Sequence, residues 1–413
     1  MSKIVIKGQR MAAEKRIISP ESVRMVELGH PWIIADGYTK KWPVSKPGDL
    51  LALTDQQGRF LAIALSDPDE RVVARIISRK KIQLDLQWVK SRLQKAINLR
   101  QSFIDAEETN ACRLINGEGD GLPGLTVDRY ADYLMLQLYG SVWRPHLQLL
   151  VQALEELLEP AGIYEKARPQ STRELEATAA GKSYGKLLAG RSAPARLQVK
   201  ENGLNFLVSL EKGLDSGIFM DQRKNRRNLM RMAAGKRVLN LFSYTGAFSV
   251  AAAAAGATKV TSVDVSVTYM EWAKENFGAN RLNPKRHEFI VGDCFDTLAG
   301  LLKEGRRYDI ILLDPPSFST TAKSRFTTRG GTAELVAAAL PLLEDGGLLI
   351  GSSNHQKVDS AEYLKELRRG ALQSGSGLQV ISFAGQPEDF PYPVTFPEGR
   401  YLKYATCVKQ AEE

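Results

Sequence analysis

The sequence predicts an α/β protein whose last two hundred residues form a doubly wound, mainly parallel sheet. Three observations lead there. The apolar runs VLNLF, VTSVDV, HEFIVGD, YDIILLDPP, GGLLIGSS and LQVISF alternate with helical stretches, the pattern of parallel strands joined by crossover helices. A further run, YLKYATCVKQ, follows LQVISF after only the irregular loop GQPEDFPYPVTFPEG. With no helix to carry a crossover, that last strand is expected to be antiparallel. Finally, polar residues gather where apolar runs stop, at FSYTG, DVS, GDC and DPPSFS. In an open parallel sheet, ligands bind outside the carboxyl ends of the strands, where the strand order reverses.

The elements ahead of this sheet are of a different kind. From Val5 to Arg79 the runs are short and β-rich: IVIKG, WIIADGYTK, a hairpin of DLLALTD and RFLAIALSD around Gln56, Gln57 and Gly58, and RVVARIIS. They predict a small closed β-barrel over residues 1–80. Ile82 to Thr109 has helical spacing at Leu86, Val89, Leu93 and Ile97 and opens a central α+β domain, 81–192. That domain holds the glycine-punctuated ACRLINGEGDGLPGLTVDRYADYLMLQLYG and an amphipathic helix from His146 to Glu159. A loose connector, Arg168 to Ser192, with Gly181, Gly185 and Gly190, ends it. The final domain, 193–413, opens on a hairpin turning at Asn202 and Gly203.

Composition bounds the reading. With 413 residues, 43% hydrophobic and 25% charged, the chain is globular and long enough for two or three cores. MSKIVIKGQR lacks the apolar core of a signal peptide, and the run Val250 to Ala257 is too short to cross a bilayer. The chain reads as cytoplasmic, with no membrane partner. Cys112, Cys294 and Cys407 are far apart and form neither a disulfide framework nor a zinc cluster, so no metal is expected. The net charge is +9, and residues 1 to 100 hold 19 Lys/Arg against 10 Asp/Glu while the rest is balanced. A basic segment on a neutral body suits a polyanion, and it equally suits a solubilising surface.

A dinucleotide site needs GxGxxG, to bring backbone against a pyrophosphate. FSYTGAF has one glycine. S-adenosylmethionine has no phosphate, so one tight turn at Gly246 is enough to seat its methionine portion against Phe242, Ser243, Tyr244 and Thr245. Asp264, with Val265 beside it, ends the next apolar run, where a carboxylate accepts hydrogen bonds from both ribose hydroxyls. An Asp before VSVTYMEW also fits a helix N-cap, and the two roles coexist. Asp293 and Cys294 fall where the adenine edge would lie, the thiol as a small packing group. Asp314-Pro315-Pro316-Ser317-Phe318 follows IILL. Two prolines cannot continue the sheet, and they stiffen a turn that holds Asp314 over the transferable methyl.

These residues carry a resemblance. The chain is similar over nearly its whole length to the bacterial large-subunit ribosomal RNA methyltransferases of the RlmI and RlmK/L kind. Its first segment resembles an RNA-binding PUA barrel, its middle the central domain with RLINGEGDGLPGLTVDRY, and its last part the shared catalytic domain. The resemblance implies a class I methyltransferase fold, Rossmann-like with a mainly parallel seven-stranded sheet, using S-adenosylmethionine on 23S ribosomal RNA. FMDQRKNR resembles the family's entry motif beside the cofactor, which implies that Phe219, Asp221, Gln222 and Arg223 lie at the methionine portion. The stretch also reads as a basic helix start, and Arg223 to Arg237 is expected to help the barrel grip the RNA backbone.

The resemblance also sets an expectation about chemistry. The RlmI type makes 5-methylcytosine, and carbon 5 of a pyrimidine is nucleophilic only after a thiolate adds to carbon 6. At the matching place after the fifth strand this chain reads GLLIGSSNHQK, with Ser353 there. SVDVSVTYMEWAKEN, DPPSFSTTAK and SSNHQK resemble instead the RlmK-like half that makes N7-methylguanine. N7 carries an in-plane lone pair and no proton, so alignment is what it needs. Asp314, Ser317, Phe318 and Asn354 are the candidates to hold and stack the base. Four alternatives stay open: an exocyclic amine target, 5-methylcytosine chemistry from another cysteine such as Cys407, a non-catalytic ribosome-assembly factor, and a small-molecule or protein methyltransferase, which the large basic amino-terminal part disfavours. Phe390 to Phe396, in the Pro-rich loop, suit a homodimer contact or a substrate lid equally.

Overall fold

The computed structural model describes residues 13–68, 70–166, 184–316, 318–320 and 325–410, with backbone alone at 318–320 and 325–330. IVIKG, Gly181 and Ser317 lie outside them. The chain forms two compact units. The first runs to Leu197 and takes in Leu210–Leu214 and Glu388–Gly399, and the second comprises Gln198–Ser209, Asp215–Pro387 and the chain from Arg400 onward.

In the first unit, β1 (Glu14–Ile17), β2 (Trp32–Ile34), β3 (Leu50–Thr54), β4 (Phe60–Ser66) and β5 (Val72–Ser78) form one sheet in the order β1-β3-β4-β5-β2. The hairpin read from the sequence is β3–β4, antiparallel with Leu51 opposite Ala64. The closure expected of a barrel is absent among the described residues: β1 pairs parallel with β3 only, and no ladder joins β1 to β2. Between them α1 (Pro20–Leu28) is delimited by its own sequence. Ser19 accepts a hydrogen bond from the Ser22 amide, Pro20 takes the first turn, and Gly29 at φ 107° stops the helix.

A second sheet follows α2 (Leu86–Gln101), whose cap is Asp85. Its strands are β6 (Ala111–Asn116), β7 (Leu125–Tyr130), β8 (Tyr133–Leu138), β9 (Gly162–Lys166) and β10 (Gly185–Gly190), in the order β10-β9-β8-β7-β6, with α3 (Leu147–Leu158) between β8 and β9. Strand β10 corrects the sequence reading of a loose connector up to Ser192. GKLLAG has glycine at both ends and only four residues between, too short for a periodic signal, yet it pairs antiparallel along β9.

The second unit opens on the hairpin β11 (Leu197–Glu201) and β12 (Leu204–Val208). Asn202 and Gly203 at its tip have φ of 53° and 78°, the two left-handed residues of a type I′ turn. The main sheet is built from β13 (Arg237–Leu241), β14 (Lys259–Asp264), β15 (Glu288–Val291), β16 (Tyr308–Leu313), β19 (Leu343–Ser353), β20 (Gly377–Ala384) and β21 (Lys403–Gln410), while β17 (Phe318–Thr320) and β18 (Arg325–Thr327) pair separately. The order is β15-β14-β13-β16-β19-β21-β20. The ladders from β15 across to β19 are parallel, and β21 is antiparallel to both β19 and β20, as the absence of a crossover helix before it requires. The connecting helices are α4 (Arg223–Met230), which leads into β13, then α5 (Ala247–Ala254), α6 (Val267–Ala279), α7 (Cys294–Lys303), α8 (Thr328–Ala339) and α9 (Ser360–Gln373). Leu239, Leu241, Ile311, Leu313 and Leu349 of the strands pack with Leu298, Leu335, Val336 and Leu367 of α7, α8 and α9 in one buried cluster.

The Pro-rich stretch between β20 and β21 departs from expectation. Residues Glu388–Gly399 belong to the first unit, and Phe390 and Phe396 there are only 3% and 4% exposed. Asp389 is buried and accepts the Arg113 amide at 2.9 Å, while Arg100 reaches its carbonyl at 2.9 Å and holds Asp120 with both terminal nitrogens. The Arg113 guanidinium lies 4.5 Å over the Phe390 ring, and Trp32 meets the Phe396 ring edge-on at 4.6 Å. Gly119 has no alternative, since a Cβ there would sit 1.9 Å from the Pro391 carbonyl oxygen. Neither phenylalanine is thus presented to a second copy or to a substrate. Phe390→Ala is expected to destabilise the protein by about 3–5 kcal/mol in urea unfolding, and exposed Tyr392→Ala by less than about 0.5 kcal/mol. Equal effects would contradict the burial.

Candidate functional site

The loop leaving β13 is wound unusually tightly. Phe242, Tyr244 and Gly246 have φ of 56°, 50° and 76°, and a left-handed backbone costs a residue with a side chain roughly 1–3 kcal/mol. Surrounding bonds hold it. The Ser243 amide donates to Val263 O at 3.0 Å, Thr245 Oγ1 to Gly217 O at 2.5 Å, and Asn276 Nδ2 to Thr245 O at 2.8 Å. Glycine is required at 246 twice over, because a Cβ would also lie 2.9 Å from the Ala273 Cβ of α6.

Asp264, at the end of β14, ties two loops together. Its Oδ2 accepts the Tyr244 amide at 2.9 Å and its Oδ1 the Ser266 amide at 3.0 Å. Burial nevertheless pushes its carboxyl above the usual range, against the backbone amides of Ser266, Tyr244 and Val265. The cap of α6 is Ser266, whose hydroxyl accepts the Tyr269 amide, so the N-cap reading of Asp264 is corrected. Val265 is exposed. Asp293 caps α7, accepting the amides of Phe295 and Asp296 at 2.9 and 3.4 Å. Cys294 is buried beside it, and burial raises its thiol to about 12, which suits packing and not nucleophilic attack.

The surroundings fit S-adenosylmethionine. The Ser243 hydroxyl is buried without a hydrogen-bond partner among the described residues, a single glycine turn makes no provision for a phosphate, and the acidic strand end adjoins it. An aromatic row borders the turn: Phe219 lies 5.3 Å from the Tyr244 ring, which lies 4.5 Å from Tyr269. Tyr269 was not legible as a site residue, since its spacing in VSVTYMEW reads as ordinary helix.

The FMDQR segment is a short 3-10 turn, Met220–Gln222, running into α4. Asp221 accepts the Tyr401 hydroxyl at 2.8 Å. Gln222 is 3% exposed and turned inward, with Nε2 at 2.8 Å from Ser352 Oγ and 3.3 and 3.4 Å from the two Asp314 oxygens. The basic run is split by burial. Arg223 is buried, and Arg226, 2% exposed, grips both Glu201 oxygens at 2.6 and 2.7 Å. Arg237 is taken by Asp309 and Glu344. Lys224, Arg227, Arg231 and Lys236 are exposed, as is the ion-paired Arg237.

Asp314 ends β16, with Pro315 buried and Pro316 exposed after it. Burial, reinforced by the charge of Asp221, raises its carboxyl to about 6, and Ser352, Arg226 and Gln222 act the other way. Ser317 lies outside the described residues, and Phe318 is described only as backbone of β17, opposite Thr327. Ser353 is buried at the end of β19, across from Lys403 of β21, and Asn354 beyond it is exposed. Lys403 is itself buried and donates to His355 O at 2.7 Å and Tyr401 O at 2.8 Å, and burial lowers its ammonium to about 8. Ser352, Tyr401 and Lys403 escaped sequence reasoning. The doublet SS after an apolar run is a faint signal for the first, and the others come into place only through the β19–β21 pairing.

Two outcomes are expected from this geometry. Gly246→Ala and Asp264→Ala each weaken S-adenosylmethionine binding by at least about tenfold, or roughly 1.4 kcal/mol, in calorimetry on protein that keeps its circular dichroism. A raised carboxyl favours the fold below its unfolded value and loses that contribution as pH rises through about 6. Asp314→Asn should therefore stabilise the protein at pH 8 by roughly 1–3 kcal/mol, with the gain fading below pH 6. A destabilised variant at pH 8 would contradict it.

Comparison with known proteins agrees with this geometry. A family model described as S-adenosylmethionine-dependent methyltransferase matches residues 112–394, and one described as a PUA-like domain matches residues 17–79. The ribosomal RNA large subunit methyltransferase I of Yersinia pseudotuberculosis is 33% identical over 379 residues, 92% of this chain and 95% of that one. A solved structure described as a methyltransferase complexed with SAH matches with a TM-score of 0.85 and 30% identity, covering 96% of this chain and 100% of its own. A chain described as a SAM-dependent methyltransferase from Streptococcus mutans matches with a TM-score of 0.83 and 29% identity, with the same coverage. On its sheet order, its strand-end residues and these matches, the chain belongs to the S-adenosylmethionine-dependent methyltransferases of class I fold, and carries a PUA-like domain ahead of the catalytic sheet.

Proposed function

We propose that this enzyme methylates a base of large-subunit ribosomal RNA, and that the acceptor is N7 of a guanine. The observation that carries the choice of atom is Ser353 at the end of β19, where cytosine carbon-5 chemistry needs a thiol. The two cysteines of the catalytic unit speak against a substitute. Cys407 lies opposite Leu349, inside the ladder, with its thiol raised to about 11 by burial, and Cys294 is raised further. Neither supplies thiolate near neutral pH.

S-adenosylmethionine, when bound, supplies an electrophilic methyl on a sulfonium. The chain's own part is to hold and align. In this reading the turn Phe242–Gly246 and Asp264 with Val265 carry the cofactor, Asp293 and Cys294 border its adenine, and Phe219, Asp221 and Arg223 its methionine end. Asp314, the two prolines, Ser317, Phe318 and Asn354 hold the base. The major-groove edge of guanine offers two acceptors, N7 and O6. An ionised Asp314 facing that edge repels it, whereas a protonated one donates to O6 and leaves the N7 lone pair free. An exocyclic amine makes the opposite demand, because it needs an ionised acceptor.

The sign of the pH dependence therefore separates the two targets. For N7, turnover falls as pH rises past the Asp314 value, about 6 before substrate binds and higher once the base excludes water. For an amine, turnover rises over the same limb. Nucleoside mass spectrometry of ribosomal RNA from cells with and without the gene is the direct test: loss of one 7-methylguanosine is expected, and loss of 5-methylcytidine overturns the reading. The RNA grip is assigned to the PUA-like domain and to Lys224, Arg227, Arg231 and Lys236. Affinity for the RNA should fall steeply and linearly on a logarithmic scale with salt, as phosphate contacts dictate. A flat salt dependence would count against RNA as the substrate.

A further inference from the structure

We infer that Gln222 is a positioning residue for methyl transfer: with Ser352 it fixes the plane of the Asp314 carboxyl, and it makes no contact with the cofactor. The inference rests on the proposed place of Asp314 at the reacting centre, and it departs from the role that the entry-motif resemblance implies for Gln222.

Both ends of the Gln222 amide are engaged within the protein. Its oxygen accepts Asn225 Nδ2 at 2.6 Å, and its nitrogen is the end that can donate to the acceptor oxygens of Asp314. Asn225 is fully buried in α4. The nitrogen therefore faces inward, 2.8 Å from Ser352 Oγ and almost equidistant, at 3.3 and 3.4 Å, from the two oxygens of Asp314. A donor centred between both oxygens opposes rotation of the carboxyl about its last bond. Ser352, buried at the end of β19, hydrogen-bonds Asp314 as well. The carboxyl is thus held from α4's leading turn and from the neighbouring strand. A reacting group must be fixed to within a fraction of an ångström to align an attacking atom. The charged and titratable groups facing Asp314 are Asp221 from the same turn, Arg226 from α4, Tyr363 from α9 and Tyr404 from β21. Asp221 favours the protonated carboxyl, and Gln222, Ser352 and Arg226 favour the ionised one.

The test uses the full-length enzyme, ribosomal RNA from cells lacking the gene, and labelled S-adenosylmethionine. Gln222→Met keeps the side-chain volume and removes the donor. Expected are a cofactor affinity within about twofold of wild type in calorimetry, a kcat lower by about tenfold or more with KM for RNA little changed, and an upward shift of the pH limb that Asp314→Asn abolishes. Gln222→Glu, which sets a second carboxylate against the first, moves that limb further up. Cofactor affinity lost in step with turnover, with the limb unmoved, would identify Gln222 as a cofactor ligand and overturn the inference. If Gln222→Met does not fold, Ser352→Ala removes the other donor and must shift the same limb, and an unmoved limb overturns the inference equally. Wild-type turnover in Asp314→Asn would remove the proposed role of Asp314 and this inference with it, whereas an inert Gln222→Met beside an inactive Asp314→Asn removes the inference alone.

Discussion

The catalytic unit depends on one topological constraint, the reversal of strand order around β13. That strand has parallel neighbours on both sides, β14 and β16. The chain leaves it first toward β14 and β15, and comes back on the other side. Because parallel crossovers are right-handed, the connections from β13 and from β16 must depart toward opposite faces, and a crevice is left between the two strand ends. The left-handed turn at Phe242 to Gly246, the Asp264 link and the proline-stiffened end of β16 are all local answers to that opening. The turn is strained, and its stability comes from neighbours: the Asp264 carboxylate and the amide of Asn276 bind backbone that would otherwise relax.

The polar groups at this opening stand at the edge of an apolar sheet, and the surroundings set their ionisation. Asp314 and Lys403 are both moved toward neutrality by burial, and the tyrosines Tyr363 and Tyr404 beside Asp314 are kept protonated by the same cause. Such an arrangement is costly to the fold near neutral pH, which is what a site shaped for chemistry and not for stability looks like. The cysteines show the reverse. All three are buried and none is in a disulfide, and those of this unit behave as small apolar residues.

What could be read from sequence was whatever one strand and its following turn decide. Gly246, Asp264, Asp293 and Asp314 each sit at the end of an apolar run, so their place at one end of the sheet followed from the alternation of strand and helix. The Asn202-Gly203 turn and the antiparallel last strand were legible for equally local reasons. The misreadings share a cause. The pairing of GKLLAG with β9 joins residues far apart in the chain, as does the parallel pairing of β1 with β3, and no local pattern encodes either. Burial was the other blind spot. Arg223 and Arg226 look like their exposed neighbours in RKNRRNLM until Glu201 is seen beneath, and Phe390 and Phe396 look like bait for a partner until Arg113 and Trp32 cover them.

The stretch Glu388–Gly399 also bears on the order in which the protein can be made. Domains of a growing chain generally fold in sequence, the amino-terminal one first. Here the first unit cannot close its core in that order, because Asp389, Phe390 and Phe396 are among its buried members and are synthesised after nearly all of the catalytic sheet. Until those residues are made, the places of Phe390 and Phe396 in that core stay unfilled, and the unit that carries the PUA-like domain is completed only after most of the catalytic sheet has been synthesised.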